Sequence, residues 1–400
     1  MKKLLLSLLV TLVLAGALFA AKPVFESKNA VKDTGKKSFN SDSAIETVKD
    51  MKTGWNLGNT FDATNAQNLS SETSWGQPKT TKKMIDTLAA SGIKTIRIPV
   101  SWHNHLIDKN YTIDPAWMQR VKEVVDWAID DGMYVIINSH HDCWSSPSKM
   151  PYGKGYYPNS VNYEESERFL TNVWAQICLA FNKGYDEHLV FEIMNEPRLR
   201  GTSYEWWFDK NAKECLDAAE NLNKLNKLTL DVIRSSKGNN SKRFVMIPSL
   251  QASPDSAFAS EFKMPDDGKN GTSHLILSTH MYSPYTFAME SPGKREFTPQ
   301  FQSELASTFK RLNDNFVKKG YAVVIGEYGA TNKDNLEERV KWFHAFIKYS
   351  RQYGITSCLW DNGVWVVKGN DYNEHFGYFD RSACKWFFPE ILKAIQEEAK

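Results

Sequence analysis

The chain has 400 residues, with 49 Lys and Arg against 47 Asp and Glu, a formal net charge of +2. That balance excludes the basic surplus of a nucleic-acid binder, and 42% hydrophobic content with 24% charge excludes a disordered chain. Aromatic residues are dense, at 13 Trp, 16 Tyr and 22 Phe, enough to fill a core and still leave rings to stack on a ligand.

In chain order, Lys2 and Lys3 precede an uncharged run from Leu4 to Ala20, closed by the small residues Ala15, Gly16, Ala17, Ala20 and Ala21. This is the layout of a secretory signal peptide. At 17 residues the run is short of the roughly 20 apolar residues that a spanning helix needs. The expectation is a secreted protein with a signal at 1–20 and no membrane segment after cleavage. Residues 21–42 are polar, rich in Lys, Ser and Asn, and read as an N-terminal tail or linker. Residues 43–400 read as one domain, because no Pro/Ser/Thr-rich linker or fixed-period repeat interrupts them. The five cysteines (Cys143, Cys178, Cys215, Cys358, Cys384) are odd in number and widely spaced. They form no CxxC or zinc-type cluster, and at least one should stay free within the chain.

From residue 43, short apolar or β-branched runs alternate with longer amphipathic stretches. The runs are 53–58, 94–100, 133–141, 188–196, 243–249, 274–282, 321–329 and 355–363. Helical patterns fall at 79–91, 115–131, 163–182, 210–236, 298–319, 334–353 and 386–399, and only the gap between the fifth and sixth runs lacks a long one. Strands alternating with helices imply βαβ units and a parallel sheet. Eight units over about 350 residues fit an α/β fold of the (β/α)₈ TIM-barrel type. An open doubly wound sheet would carry a Gly-rich phosphate turn after its first strand, and none is present.

Polar residues gather at the C-terminal ends of these runs: Arg97; Asn138, His140 and His141; Asn195 and Glu196; His280 and Tyr282; Glu327; Trp360, Asp361 and Asn362. In a barrel those ends converge on the face where active sites lie. Glu196 and Glu327 each follow an apolar strand, and strands four and seven can bring them face to face across the barrel mouth. Glycoside hydrolysis needs such a pair: one acid for the leaving oxygen, and one base or nucleophile. At about 5–5.5 Å the second carboxylate attacks carbon and the outcome is retention.

The motifs GWNLGNTFDA (54–63), IRIPVSW (96–102), VIINSHHD (135–142), VFEIMNEP (190–197), HMYSPY (280–285), VIGEYGA (324–330) and CLWDNG (358–363) resemble family 5 of the glycoside hydrolases, in its bacterial endoglucanase branch. They keep the family's order from residue 54 to 363. The resemblance implies a retaining endo-β-1,4-glucanase without cofactor or metal, with Glu196 as acid/base and Glu327 as nucleophile. Supporting residues carry over at Arg97, His140, Asn195, His280, Tyr282 and Trp360. Arg97 can hold Glu327 ionised, since a nearby cation favours the carboxylate, and Tyr282 can hydrogen-bond it. Asn195 is placed for the sugar 2-OH, the two histidines for other hydroxyls or the acid/base, and Trp360 for a flat floor under the sugar.

His141 and Asp142 can serve the site or simply bond within their loop. Asn138 is expected in the barrel interior. His103 and His105 form an HxH with no carboxylate–His set to complete a metal site; His274 reads as structural. Trp117, Trp127, Trp174, Trp342 and Trp386 fall in helical patterns and should pack. Trp55, Trp75, Trp102, Trp144, Trp206, Trp207 and Trp365 lie at strand ends or in loops. Of these Trp206, Trp207 and Trp365 are the candidate sugar subsites, and the loops 142–162 and 283–297 are candidate cleft walls. The expected partner is a β-glucan polysaccharide or oligosaccharide, met by a monomer. The same chemistry also serves xyloglucan, mixed-linkage glucan, mannan or xylan. A non-catalytic carbohydrate-binding barrel would share the aromatic groove but would not need both glutamates, and a metal-dependent hydrolase would centre on His103 and His105.

Overall fold

The structure is a computed structural model, and it describes residues 23, 25–143, 152, 155–369 and 371–400. The expected signal at 1–20, Trp144 and most of 144–154 lie outside the described residues.

Eight parallel strands close into a barrel: β1 (Thr53–Asn56), β2 (Thr95–Ile98), β3 (Tyr134–Asn138), β4 (Leu189–Glu192), β5 (Val245–Pro248), β6 (Leu275–Met281), β7 (Ala322–Tyr328) and β8 (Thr356–Leu359). Each pairs with its sequence neighbour, and β8 pairs back onto β1, Trp55 against Leu359. Every strand is buried along nearly its whole length, the pattern expected when helices cover the outside and side chains fill the inside.

The helices start and stop where local chemistry directs. Helix α3 (Pro115–Asp130) follows the N-cap Asp114, whose carboxylate accepts from Ala116 N–H, and has Pro115 at its first turn. It buries Trp117, Val121, Val124, Val125 and Ala128, a stripe at helical spacing. The other long helices are α2 (Lys82–Ala90), α4 (Tyr163–Ala180), α5 (Lys213–Ser235), α8 (Pro299–Asn315), α9 (Leu336–Gln352) and α10 (Pro389–Glu398). Between β5 and β6 only the short α6 (Pro254–Phe258) forms, and α7 (Tyr285–Ala288) is a single turn in the β6–α8 connection.

Three features differ from or add to the sequence reading. Helix α1 (Ala44–Met51), absent from it, closes the bottom of the barrel. Its Ala44, Val48 and Met51 pack with Tyr134, Ile136, Val190, Met246, Ile276, Val324 and Cys358 from the strands. Trp386, expected in the last helix, instead lies in a two-stranded antiparallel ribbon, β9 (Phe379–Asp380) with β10 (Lys385–Trp386). The cause is Pro389, which opens α10 and disfavours helical backbone in the residue before it. The N-terminal segment 25–42 has no helix or strand but is tied to the barrel's bottom edge. Asp33 accepts N–H bonds from Asn182 and Gly184, and Phe39 packs on Phe244.

Among the described residues no helix is long and apolar enough to cross a membrane. All five cysteines are free, four of them buried.

Candidate active site

The polar layer at the top of the barrel is organised by Arg97. Its side chain is fully buried, and the guanidinium donates in four directions: Nε to Glu192 Oε2 (2.8 Å), Nη1 to Asn56 Oδ1 (2.9 Å) and to Glu327 Oε1 (2.9 Å), and Nη2 to Asn195 Oδ1 (2.6 Å). Burial works against this charge, but the Glu192 and Glu327 carboxylates outweigh it and raise the pKa. Glu192 also accepts from Asn138 Nδ2 (2.9 Å) and Ser278 Oγ (2.5 Å). A hydrogen-bonded polar plate thus lies against Glu327, built from β1, β2, β3, β4 and β6.

Glu327 sits at the end of β7, where the pairing slips. The β6–β7 register shifts between Thr279 and His280, so that His280 stands opposite Glu327, and β7–β8 shifts between Ile325 and Tyr328. Such irregularities re-aim side chains. Gly326 permits the close approach: a Cβ there would stand 3.1 Å from His280 Nε2 and 3.3 Å from Glu192 Oε1. Both Glu327 oxygens are held, Oε1 by Arg97 and Oε2 by the Tyr282 hydroxyl at 2.9 Å. Burial and the Glu327 charge push the Tyr282 pKa well above its usual value, so the phenol keeps its proton and donates.

Glu196 lies four residues past the end of β4, on a segment pinned by backbone bonds from Asn195 N to Ser139 O and from Gln251 N to Pro197 O. Its Oε1 is 2.8 Å from His280 Nδ1, and its Oε2 is 3.2 Å from Arg198 Nη1. Donor atoms of Glu196, His280 and Glu327 all lie within 4.8 Å of one another. Burial would raise the Glu196 pKa, but the hydrogen bond and charge of His280, with Arg198, hold it down at about 2. His280 moves the opposite way: burial is outweighed by Glu327 and Glu196, and its pKa rises. The Glu196–His280 pair therefore keeps its proton on the imidazole, one hydrogen bond from the carboxylate.

The remaining expected residues fall around this pair. Asn195 reaches Arg97 through Oδ1, while its Nδ2 makes no hydrogen bond among the described residues and is free to donate to a sugar hydroxyl. His140 is buried, its Nδ1 3.1 Å from Asn138 Nδ2 and its Nε2 3.9 Å from Glu327 Oε1. Trp360 is half-buried and lies parallel to the His140 ring at a centroid distance of 5.8 Å. The two flat rings thus lie parallel, with the edge of His140 turned to Glu327. His141 is partly open and packs near Trp75. Asp142 proves structural: it accepts from the backbone of Trp102 and His103, from the Ser139 hydroxyl, and pairs with the His103 ring at 2.7 Å. His105 stacks on Trp117 at 3.6 Å, so the HxH packs inward and its two rings do not converge on a ligand. Trp55 and Trp102 are buried, each with its indole N–H bonded, to Asp361 and to Asn138 O. Trp206, Trp207 and Trp365 are exposed on the loops after β4 and β8.

Among the described residues, two groups could receive a divalent cation. In Glu196–His280–Glu327 the ligand atoms are already engaged by Arg97, Tyr282 and each other. Asp62, His140 and His141 are freer, with donor atoms within 4.8 Å. Burial raises Asp62 to about 6 and lowers His141 to about 4 and His140 well below its usual value, so both imidazoles are neutral.

Two residues of this network do not stand out in the sequence. Glu192 lies inside the apolar strand VFEI, where only its charge marks it, since a glutamate there is rarely buried unless paired. Arg198 follows the NEP motif in a loop and carries no signal of its own contact with Glu196.

A family model described as cellulase (glycosyl hydrolase family 5) matches residues 58–364. The chain belongs to glycosyl hydrolase family 5. Membership makes it a glycoside hydrolase. Endoglucanase B of Ruminococcus albus is 40% identical to this family 5 chain over 360 residues, 90% of this chain and 81% of that protein. A mutant family 5 lichenase from Caldicellulosiruptor sp., in complex with cellotetraose, superposes with a TM-score of 0.83 at 41% identity. It spans 94% of this chain and 100% of its own. A GH5-4 broad specificity endoglucanase from Ruminococcus champanellensis, with bound cellotriose, gives 0.80 at 35% identity, over 90% and 99%.

Proposed function

We propose that the protein is a secreted, monomeric, retaining endo-β-1,4-glucanase that cuts internal β-glucosidic bonds by double displacement, with Glu327 as nucleophile and Glu196 as acid/base. The observation that carries this reading is the carboxylate pair. An oxygen of each lies within 4.8 Å of the other. That suits a nucleophile in contact with the anomeric carbon and leaves less room than the about 6.5–9.5 Å of a water-activating, inverting pair.

The two glutamates are supported asymmetrically, as their roles require. Arg97 and Tyr282 fix both Glu327 oxygens in orientation. In the first step an oxygen of Glu327 forms a bond to the anomeric carbon while the glycosidic C–O bond breaks. The departing oxygen takes a proton from Glu196, which His280 supplies across their 2.8 Å contact. A seated sugar excludes water and adds to the burial that already opposes the Glu196 charge, favouring that transfer. In the second step Glu196 removes a proton from water, whose oxygen displaces Glu327 from the same carbon. Two inversions leave the configuration retained. The Asn195 amide donates to the 2-OH, a contact that strengthens in the transition state, and Trp360 forms the floor.

Secretion rests on the layout of residues 1–20. The two-residue basic surplus of the whole chain is Lys2 and Lys3, so the mature chain is formally neutral and suits a neutral polymer. Relatives named endoglucanase and lichenase favour β-1,4-glucan and mixed-linkage β-glucan, ahead of xyloglucan, mannan and xylan. A reducing-sugar assay over those five polysaccharides, on wild type, Glu196→Ala and Glu327→Ala, tests the reading. Each variant should lose several orders of magnitude on the preferred glucan. Near-full rate in either would remove its assigned role.

A further inference from the structure

We propose that Arg198 is a positioning residue that links the acid/base to an aromatic platform for the leaving-group sugar, Trp206. This rests on the assignment of Glu196 above. Arg198 Nη1 is 3.2 Å from Glu196 Oε2 and 3.1 Å from the Glu196 carbonyl. The same guanidinium lies against the indole of Trp206, its central carbon 4.3 Å from the ring centroid. Nε is bonded to Glu205 Oε1, and Glu205 Oε2 in turn accepts from Gly201 N–H, which ties the group to its own loop. The Arg198 side chain is 12% exposed, whereas Trp206 is 60% exposed. One face of the indole is therefore committed to a cation, and the ring still presents ample apolar surface outward.

The direction of this arrangement gives it meaning. Glu196 stands between two partners: His280 on Oε1, which also approaches Glu327 Oε2 at 3.6 Å, and Arg198 on Oε2, which makes no ion pair with Glu327 among the described residues. The acid acts at the glycosidic oxygen, so the side of Glu196 remote from Glu327 is where the departing sugar lies. Trp206, on the loop after β4, covers the guanidinium that holds Glu196 Oε2, and on this reading the departing sugar lies against it. A sugar stacked there presses the indole onto the guanidinium and holds Glu196 Oε2 in place. Once the proton supplied by His280 has passed through Glu196 to the glycosidic oxygen, the negative charge that returns to Glu196 lies beside a fixed cation. That is stabilisation aimed at the transition state of the first step. A simple loop-bracing role would be met by the Glu205 and carbonyl bonds alone and would not need an exposed indole over the cation.

The experiment compares wild type, Arg198→Met, Arg198→Lys, Trp206→Ala and the Arg198→Met/Trp206→Ala double variant on cellopentaose and on dinitrophenyl β-cellobioside. The latter's leaving group departs with little proton assistance. Arg198→Met should lose about 10–100-fold in kcat on cellopentaose, the effect of one charge-assisted contact, and at least about tenfold less on the activated substrate. The alkaline limb of its kcat/KM should move to higher pH, because removing a cation favours the protonated acid. The other groups facing Glu196 are unchanged in this variant: His280, Tyr282, Glu327, His141 and Glu205. Arg198→Lys keeps the charge and should keep the limb. Trp206→Ala should raise KM for cellopentaose, and by less in the Arg198→Met background than alone. Equal losses on both substrates with an unmoved limb would reduce Arg198 to a structural brace. Strictly additive effects would break the link to Trp206. Glu196→Ala runs alongside: if it shows no dependence on leaving group, the acid/base assignment itself fails, whatever Arg198 does.

Discussion

Arg97→Met deletes a side chain that ties the floor of the site to Glu327, the proposed nucleophile. The substitution preserves an unbranched apolar stem and removes four contacts, to Glu192, Asn56, Glu327 and Asn195. Glu192 keeps only Asn138 and Ser278, and Glu327 keeps Tyr282 and its loose approach to His280 and His140. Deleting one member of a buried ion pair costs about 3–5 kcal/mol, because the other charge stays buried without a partner. Against a usual total of about 5–15 kcal/mol, the variant should still fold but melt lower. At roughly 2 °C per kcal/mol for a chain of this size, the drop is about 6–10 °C. The kinetic effect should be larger. Each 1.36 kcal/mol is about tenfold in rate, and a nucleophile that has lost a charged contact of about 1.5–3 kcal/mol and one of its two anchors should fall by about 10²–10⁴ in kcat. Arg97→Lys retains a cation but not the fork of donors, and belongs between the two. Circular-dichroism melting and reducing-sugar kinetics on barley β-glucan measure both effects. An Arg97→Met protein that melts with wild type and keeps kcat within tenfold would refute this account of the polar plate.

Two further outcomes follow from the geometry. The proton held by the Glu196–His280 pair sets the alkaline limb of kcat/KM. The His280 pKa lies above 6.5, so activity persists below that pKa and is lost as pH rises through it; a limb centred below 6.5 would contradict the pairing. Trp365, stacked on Phe387 at 4.5 Å and 41% exposed, should bind sugar on the rim after β8. Trp365→Ala should raise KM for long glucans by about 2–10-fold, the worth of one ring contact, with kcat at saturation much less affected; an unchanged KM would remove it from the cleft.

The barrel was legible because parallel strands covered on both faces read as continuous apolar runs, as in VFEIM and VVIG. Strand ends were legible because their polar residues have no packing explanation, which brought out Glu196, Glu327, Arg97 and Tyr282. What stayed hidden depended on long-range contact. Glu192 differs from its neighbours only by a charge, and its partner is 95 residues away. The role of Asp142 could not be separated from His141 beside it, since only the fold shows one bonded to His103 and the other open to the cleft. Helix α1 is eight residues long, too brief for a periodic signal, and gains its stability from plugging the barrel. Trp386 was misplaced because an aromatic stretch before Pro389 looks as helical as it does extended until the ribbon partner at Phe379 is seen.

The central claim is that two carboxylates this close carry out a double displacement. Proton NMR of the first products released from cellopentaose tests it directly. The account predicts that the β-anomer of the new reducing end appears first and then mutarotates. Initial release of the α-anomer would mean that water attacks in a single step, and would contradict the assignment of Glu327 as nucleophile.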